Sequence, residues 1–338
     1  MTQSWTEFLT GEGAEFTDAA AVHFPALQDD MEACAIVPLV HLALIESHGE
    51  DSAAFLHNLL SNDVAKLAPD AAQWTSFNTP KGRMLASLLM FRDLDGHAIV
   101  LASDIAPAIH RRLSMYVLRS KVALTMSDAA LIGVTGPDAA GILAQAGIEV
   151  PHDRMRQSVA DNLRCVRIDA SDFVLVVPAT EAEATWHRLR EAGARPAGTQ
   201  RWQLAMIRAG LPLITAATQE EFVAQMLNFE LIGGVSFNKG CYPGQEIVAR
   251  TQYLGKLKKR MYRLHVPAGD VPAAGDDIYT PGFGTQSAGK LVNVAPSPDG
   301  GFEALAVMQM NCADSGEAHL RGPDGPKLEF LDLPYALA

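Results

Sequence analysis

The residues best suited to chemistry lie in one short stretch, 233–250, which holds four glycines, one proline and a single cysteine, Cys241, flanked by Lys239 and Tyr242. Glycines permit tight turns, and their missing side chains let a flat ligand approach the main chain. The pattern after Pro243-Gly244 predicts a helix over 247–253. Cys241 is then expected immediately before a helix N-terminus and beside an ammonium, and both favour thiolate over thiol. Two readings of Cys241 stand at this point: a reactive thiol, or a small buried hydrophobe in a glycine-rich loop. No histidine is brought near the loop by sequence, so a Cys-His dyad has no support here.

The remaining cysteines, Cys34, Cys165 and Cys312, are far apart, which excludes zinc and iron–sulfur frameworks built on closely spaced pairs. Ten histidines include no helix-spaced metal pair, so no protein-held metal is predicted. With 27 basic against 39 acidic residues the net charge is −12, which argues against direct nucleic-acid binding as the main activity. The longest apolar run, 33–45, contains Pro38 and His41 and falls short of the ~20 residues that cross a bilayer. Residues 1–18 lack the charge order of a presequence, and a cytoplasmic location is expected.

Several elements must position the loop. Leu44, Ile45, Gly49, Asp51, Ala53 and Leu56 recur as Leu131, Ile132, Gly136, Asp138, Ala140 and Leu143, a repeated strand, turn and helix whose aspartate is expected to cap the helix. Strands over 97–102 and 173–177 are each followed by a predicted helix, at 105–119 and 181–191. The turn Thr79-Pro80-Lys81-Gly82-Arg83 joins 74–77 to 84–91 as a hairpin. A helix from Arg201 is expected to stop at Gly210-Leu211-Pro212, and Thr218 with Glu221 predicts a capped helix to about Asn228. Residues 261–338 hold eight of nineteen prolines and ten glycines between short apolar runs, the pattern of a compact all-β barrel or sandwich. Helices mixed with hairpins favour an α+β class. The expected division is 1–128 and 129–260 as two related α+β domains and 261–338 as the β domain.

The segment Lys239-Gly240-Cys241-Tyr242-Pro243-Gly244-Gln245-Glu246 resembles the motif of the YgfZ-type folate-binding proteins, relatives of the glycine-cleavage T-protein. Leu60-Ser61-Asn62-Asp63-Val64, Pro80-Lys81-Gly82-Arg83 and Arg208-Ala209-Gly210-Leu211-Pro212 are similar to further segments of that family, so the likeness covers roughly 35–325. The resemblance implies a three-domain cloverleaf, two related α+β units plus a C-terminal β-barrel. It implies tetrahydrofolate or a one-carbon derivative as ligand, and a role in building or repairing iron–sulfur enzymes, including one that methylthiolates tRNA. Partners on this reading are reduced folate and iron–sulfur client enzymes or assembly proteins. Cys241 would be the functional thiol, with Lys239, Gly240, Tyr242, Gly244, Gln245 and Glu246 shaping its loop. Arg250 could meet the folate glutamate tail or a carboxylate.

Two departures bear on the chemistry. Where the T-protein has adjacent aspartates, this chain has Ala86 and Ser87, neither of which serves as a general acid, and that counts against aminomethyl transfer. Arg208 stands where many relatives have a Glu that accepts from the pterin, and arginine has no acceptor. Replacement acceptors are sought among Glu246, Asp63, Gln225 and Asn228, and stacking partners among Trp74, Phe77 and Tyr242. The basic run Lys256, Lys258, Lys259, Arg260, Arg263 reads as a charged strand edge or as a patch for polyglutamate, an acidic partner or RNA. The expectation is a folate-binding accessory protein. A folate-dependent one-carbon transferase and a non-catalytic scaffold are the alternatives.

Overall fold

The computed structural model describes all residues except Met1, 18–20, Gln28, Asp29, Leu94, Leu254, Lys256 and Ala338. Helices and sheets are mixed along the chain, which is α+β. Two compact units are each assembled from separated segments: Met1–Phe55, Lys66–Gln73 and Leu89–Ala205 form one, and Leu56–Ala65, Trp74–Leu88 and Met206–Ala338 the other.

The first unit is built on a six-stranded sheet in the order Arg156–Ala160, Leu163–Arg167, Asp172–Val177, Ala130–Thr135, Ala35–Pro38, Arg195–Pro196, antiparallel except for the last pair. Strand Ala130–Thr135 is buried along its whole length, as befits Ala-Leu-Ile-Gly-Val-Thr with both faces covered. Its core gathers Ile36, Ile132, Leu143, Phe173 and Trp186. Both copies of the repeat form the expected unit: Leu42–His48 leads through Gly49 to helix Ser52–His57, and Ala130–Thr135 through Gly136 to helix Ala139–Gln145.

The expected aspartate cap is missing at Asp138, and Asp51 bonds elsewhere. Asp138 is left-handed (φ 55°) and makes no side-chain cap bond, while Asp51 Oδ2 accepts the Lys121 N–H at 2.8 Å. The helix expected over 105–119 is Ala106–Ser114, and 115–120 continues in turns.

In the second unit, Trp74–Asn78 and Met84–Leu88 belong to the strands flanking the Pro-Lys-Gly turn, as expected. The capped helix expected after Thr218 is absent. Thr218 closes a local turn on Thr215, and the chain then pairs with the hairpin: Glu220 N–H donates to Met84 O, Met84 N–H to Phe222 O, and Arg83 bridges Val223. Backbone pairing satisfied by a neighbouring strand outweighs a local cap worth about 1 kcal/mol. Only a 3-10 turn, Ala224–Leu227, remains.

The C-terminal strands close into a six-stranded barrel in the order Lys259–Val266, Phe302–Gln309, Gly289–Pro296, Asp277–Tyr279, Ala318–Leu320, Lys327–Leu331. Leu264, Ile278, Leu291, Ala306, Met308 and Leu328 fill it. Ala304, Ala306 and Met308 point into this core at every second position of their strand, as closure requires, and Leu305 and Val307 between them are buried as well. No helix among the described residues is long and apolar enough to cross a membrane.

Candidate functional site around Cys241

Helix Gln245–Tyr253 starts four residues after Cys241, with Gly244 N-terminal to its first residue. Cys241 therefore sits on the turn leading into the helix and not directly at its end. It is exposed, whereas Cys34, Cys165 and Cys312 are buried, so the reading of Cys241 as a buried hydrophobe is set aside. Glu246 is exposed in the first helical turn, where a carboxylate favours the helix dipole, and Arg250 is exposed in the last.

The loop is anchored from beneath by Lys239. Its ammonium donates to Leu60 O at 2.6 Å, to Asn62 O at 3.1 Å and to His57 O. Burial pulls this lysine down to about 8, opposed by the Asp63 carboxylate. Its Nζ also lies 5.0 Å from the centroid of the Tyr242 ring. Tyr242 is buried, and that burial pushes its phenol up to about 12. Lys239 is thus the peg that fixes the loop to segment 57–62, with its charge spent on carbonyl oxygens. Gln245 Nε2 closes the turn from the other side on Lys239 O at 3.5 Å.

A second anchor joins the two glycine turns. Gly244 (φ +82°) faces Gly82 (φ +74°) so closely that a Cβ on Gly244 would lie 2.7 Å from Gly82 Cα and 2.6 Å from Thr79 O. Both positions need glycine for their backbone angles and for the contact itself. The hairpin turn and the cysteine loop are therefore packed main chain to main chain.

Segment 233–236 is held against 61–62. Asn62 Nδ2 donates to Trp74 O at 2.8 Å and to Gly233 O at 2.7 Å, and Ser61 Oγ donates to Gly234 O at 2.7 Å. Asp63 Oδ1 is 3.2 Å from His57 Nδ1, and both side chains are largely buried, 13% and 18% exposed. His57 also lies close to the loop, since a Cβ on Gly240 would be 3.7 Å from its Nε2. The expectation of no nearby histidine is corrected here: His57 is 184 residues before Cys241 in sequence (241 minus 57), and only folding brings it to the loop.

Other predicted residues are placed as follows. Trp74 is half-buried and Phe77 fully buried on strand Ala72–Asn78. Gln225 donates to Val248 O at 2.7 Å, leaving its buried Oε1 without a hydrogen-bond partner among the described residues. Both amide atoms of buried Asn78, which sequence reasoning did not single out, are likewise without partners among the described residues. Asn228 donates to Met261 O at 2.9 Å. Arg208 is engaged by Glu303, through Nε at 3.0 Å and Nη2 at 2.6 Å, and Arg263 holds the other oxygen at 3.0 Å. Burial alone would raise Glu303, but the hydrogen bond from Arg208 and the charges of both arginines bring it below the usual carboxylate value.

The basic run is not a free edge. Arg260 is buried and paired with Glu230, Arg263 is on Glu303, and Lys256 lies outside the described residues. No group of three or more His, Cys, Asp or Glu side chains suited to a metal occurs among the described residues.

The model of the GCVT N-terminal domain matches residues 26–235. The chain is 31% identical over 306 residues to the tRNA-modifying protein YgfZ of Sodalis glossinidius (strain morsitans), covering 89% of this chain and 93% of that protein. It is 30% identical over 328 residues to the tRNA-modifying protein YgfZ of Serratia proteamaculans (strain 568), covering 95% and 99%. The crystal structure of glycine cleavage system aminomethyltransferase T from Bartonella henselae superposes with a TM-score of 0.81 over 99% of this chain and 98% of that one, at 18% identity, and so shares the fold. With such identity across nearly the whole sequence, the chain belongs to the YgfZ family, a branch of the GCVT-domain proteins related to the glycine-cleavage T-protein.

Proposed function

We propose that this protein binds a reduced folate and supports the assembly or repair of iron–sulfur enzymes, tRNA-methylthiolating enzymes among them, with Cys241 as its functional thiol. The observation that carries the reading is the presentation of Cys241: of four cysteines it alone is exposed, on a loop fixed by a lysine peg and a glycine–glycine contact. A merely structural cysteine has no need of such a mount. The names of the relatives, which state tRNA modification, agree with it.

Two buried amides supply polar groups of the kind a pterin edge pairs with. A pterin offers ring N–H donors and acceptors side by side, and the buried amides of Gln225 and Asn78 carry polar atoms without partners among the described residues. Leaving such atoms unmade costs about 1–3 kcal/mol each, so a ligand that satisfies them gains that much. Bound folate would supply a carrier for a one-carbon unit. The chain's own amides would read and orient the ring, in place of Arg208, whose guanidinium is committed to Glu303. Ala86 is fully buried, and Ser87 Oγ accepts the Ile214 N–H at 2.9 Å, so the alternative of aminomethyl transfer lacks its acid at these positions.

The test is calorimetry of the full chain with tetrahydrofolate, paired with tRNA nucleoside analysis in cells carrying Cys241→Ala. Binding that weakens about tenfold in Gln225→Leu, with loss of methylthiolated nucleosides in the cells, is the expected outcome. No heat at millimolar ligand and unchanged nucleosides would refute the reading. Formation of methylene-tetrahydrofolate from an aminomethyl donor would favour the transferase instead.

A further inference from the structure

The turn that receives Lys239 carries two titratable side chains that the proposed function does not use. His57 ends helix Ser52–His57, and its Nδ1 lies 3.2 Å from Asp63 Oδ1. The contact is an ion pair by distance and not an aligned hydrogen bond, and the carboxylate charge beside Nδ1 favours the proton on that nitrogen, with Nε2 as the acceptor. That same Nε2 faces the residue preceding the thiol, since a Cβ on Gly240 would stand 3.7 Å from it. Gly240 has no side chain to separate ring from loop, and Lys239 ties the loop to the His57 carbonyl itself.

The Lys239 ammonium is directed at three carbonyl oxygens and is not turned towards Cys241 as a base or counter-charge. We propose that His57, oriented by Asp63, is the proton acceptor for Cys241. The S–H bond breaks, its electron pair stays on sulfur, the proton forms an N–H bond at Nε2, and the imidazolium is balanced by the Asp63 carboxylate. In this arrangement Asp63 is a positioning residue, acting through the ring. Asp63, on the turn that follows, is a carboxylate set against the imidazole, and the Lys239 ammonium of the loop meets the backbone carbonyl of His57. Nucleophile, base and orienting carboxylate in this order form the general logic of an activated thiol, here assembled from two distant segments of one unit. The inference rests on the reading of Cys241 as the functional thiol.

The experiment measures iodoacetamide alkylation of Cys241 by peptide mass spectrometry on the purified full chain, from pH 6 to 9.5, for wild type, His57→Gln and Asp63→Asn. An ordinary thiol is only about 3% ionised at pH 7, so the base can accelerate alkylation there by at most ~30-fold. His57→Gln is expected to slow labelling about tenfold at pH 7 and to match wild type within about twofold at pH 9.5, where any thiol ionises unaided. Asp63→Asn is expected to fall between them and carries the test if His57→Gln does not fold. Superimposable profiles, or equal slowing at every pH, overturn the proposal, because a change in access alone does not alter the shape of the profile. The readout needs neither folate nor a client. Normal tRNA nucleosides in Cys241→Ala cells would therefore sink the functional reading while leaving the proton transfer intact, and a flat His57 effect would do the reverse.

Discussion

The contact between the two glycine turns makes a quantitative prediction. Replacing Gly244 with alanine adds a Cβ 2.6 Å from Thr79 O, 2.7 Å from Gly82 Cα and 2.9 Å from Gly82 N, all of them backbone atoms that cannot swing aside. The left-handed angle (φ +82°) costs an L-residue about 1–2 kcal/mol, and crowding of a packed contact about 1–3 kcal/mol more. Gly233 is the matched control: its φ is +75°, nothing lies within 4 Å of its would-be Cβ, and Gly233→Ala should pay the angle alone. The difference between the variants is then about 1–3 kcal/mol, or ~5- to 150-fold in local opening. Native-state hydrogen exchange reads it at the amides of Gln245 and Val248, which donate to Tyr242 O and Gly244 O. Both should exchange faster by that factor in Gly244→Ala than in Gly233→Ala. Equal exchange in the two variants would show that the turns are merely adjacent and that the contact holds nothing.

At pH 8, iodoacetamide should modify Cys241 at least ~100-fold faster than Cys34 or Cys165, whose thiols burial pushes up to about 11 and about 12; comparable labelling by peptide mass spectrometry would contradict this. His41 and His97 are held neutral by burial, each lowered to about 4. The unfolded chain therefore binds more protons than the folded one between about 6.5 and 4, and stability falls as pH drops through that window. Between pH 7 and 5 the loss is about 2 kcal/mol per histidine, so His97→Gln should flatten the pH dependence of denaturant unfolding by that amount, and parallel curves would refute the assignment. Glu303→Gln leaves Arg208 and Arg263 facing a neutral amide and should cost about 3 kcal/mol, the low end for a broken buried pair because Arg208 is about a third exposed; a loss below ~1 kcal/mol by chemical denaturation would count against the triad.

What could be read from the sequence was local. The cysteine loop and the Pro-Lys-Gly hairpin announce themselves within a dozen or so residues through turn chemistry, the strand–turn–helix through its recurrence, and the barrel through the proline- and glycine-punctuated apolar runs of 261–338. The failures are all cases where a distant partner decides. Thr218 and Glu221 have the spacing of a cap, yet Glu220 and Phe222 bond to Met84 from the hairpin. Asp51 looks like a cap and serves Lys121 instead. Arg208 reads as a misfit in a pterin site until Glu303, from the barrel, is seen to take it. His57 carries no local motif at all, and the sequence signal beside it is Asn62-Asp63, noted for resemblance and, at Asp63, as a pterin acceptor, not as the partner of a histidine. Lys239 was expected to tune the thiol, but a four-carbon stem can turn its charge away, and spacing does not say which way it points.

Because Gly82 and Gly244 touch without side chains between them, the stretches that bear them constitute one transplantable cassette. Grafting 239–246 alone onto a relative whose hairpin carries a bulkier residue at the position of Gly82 would deliver the cysteine without its seat. Chimeras that exchange both stretches together should keep the thiol's environment, and drift at either glycine during evolution is constrained by the other.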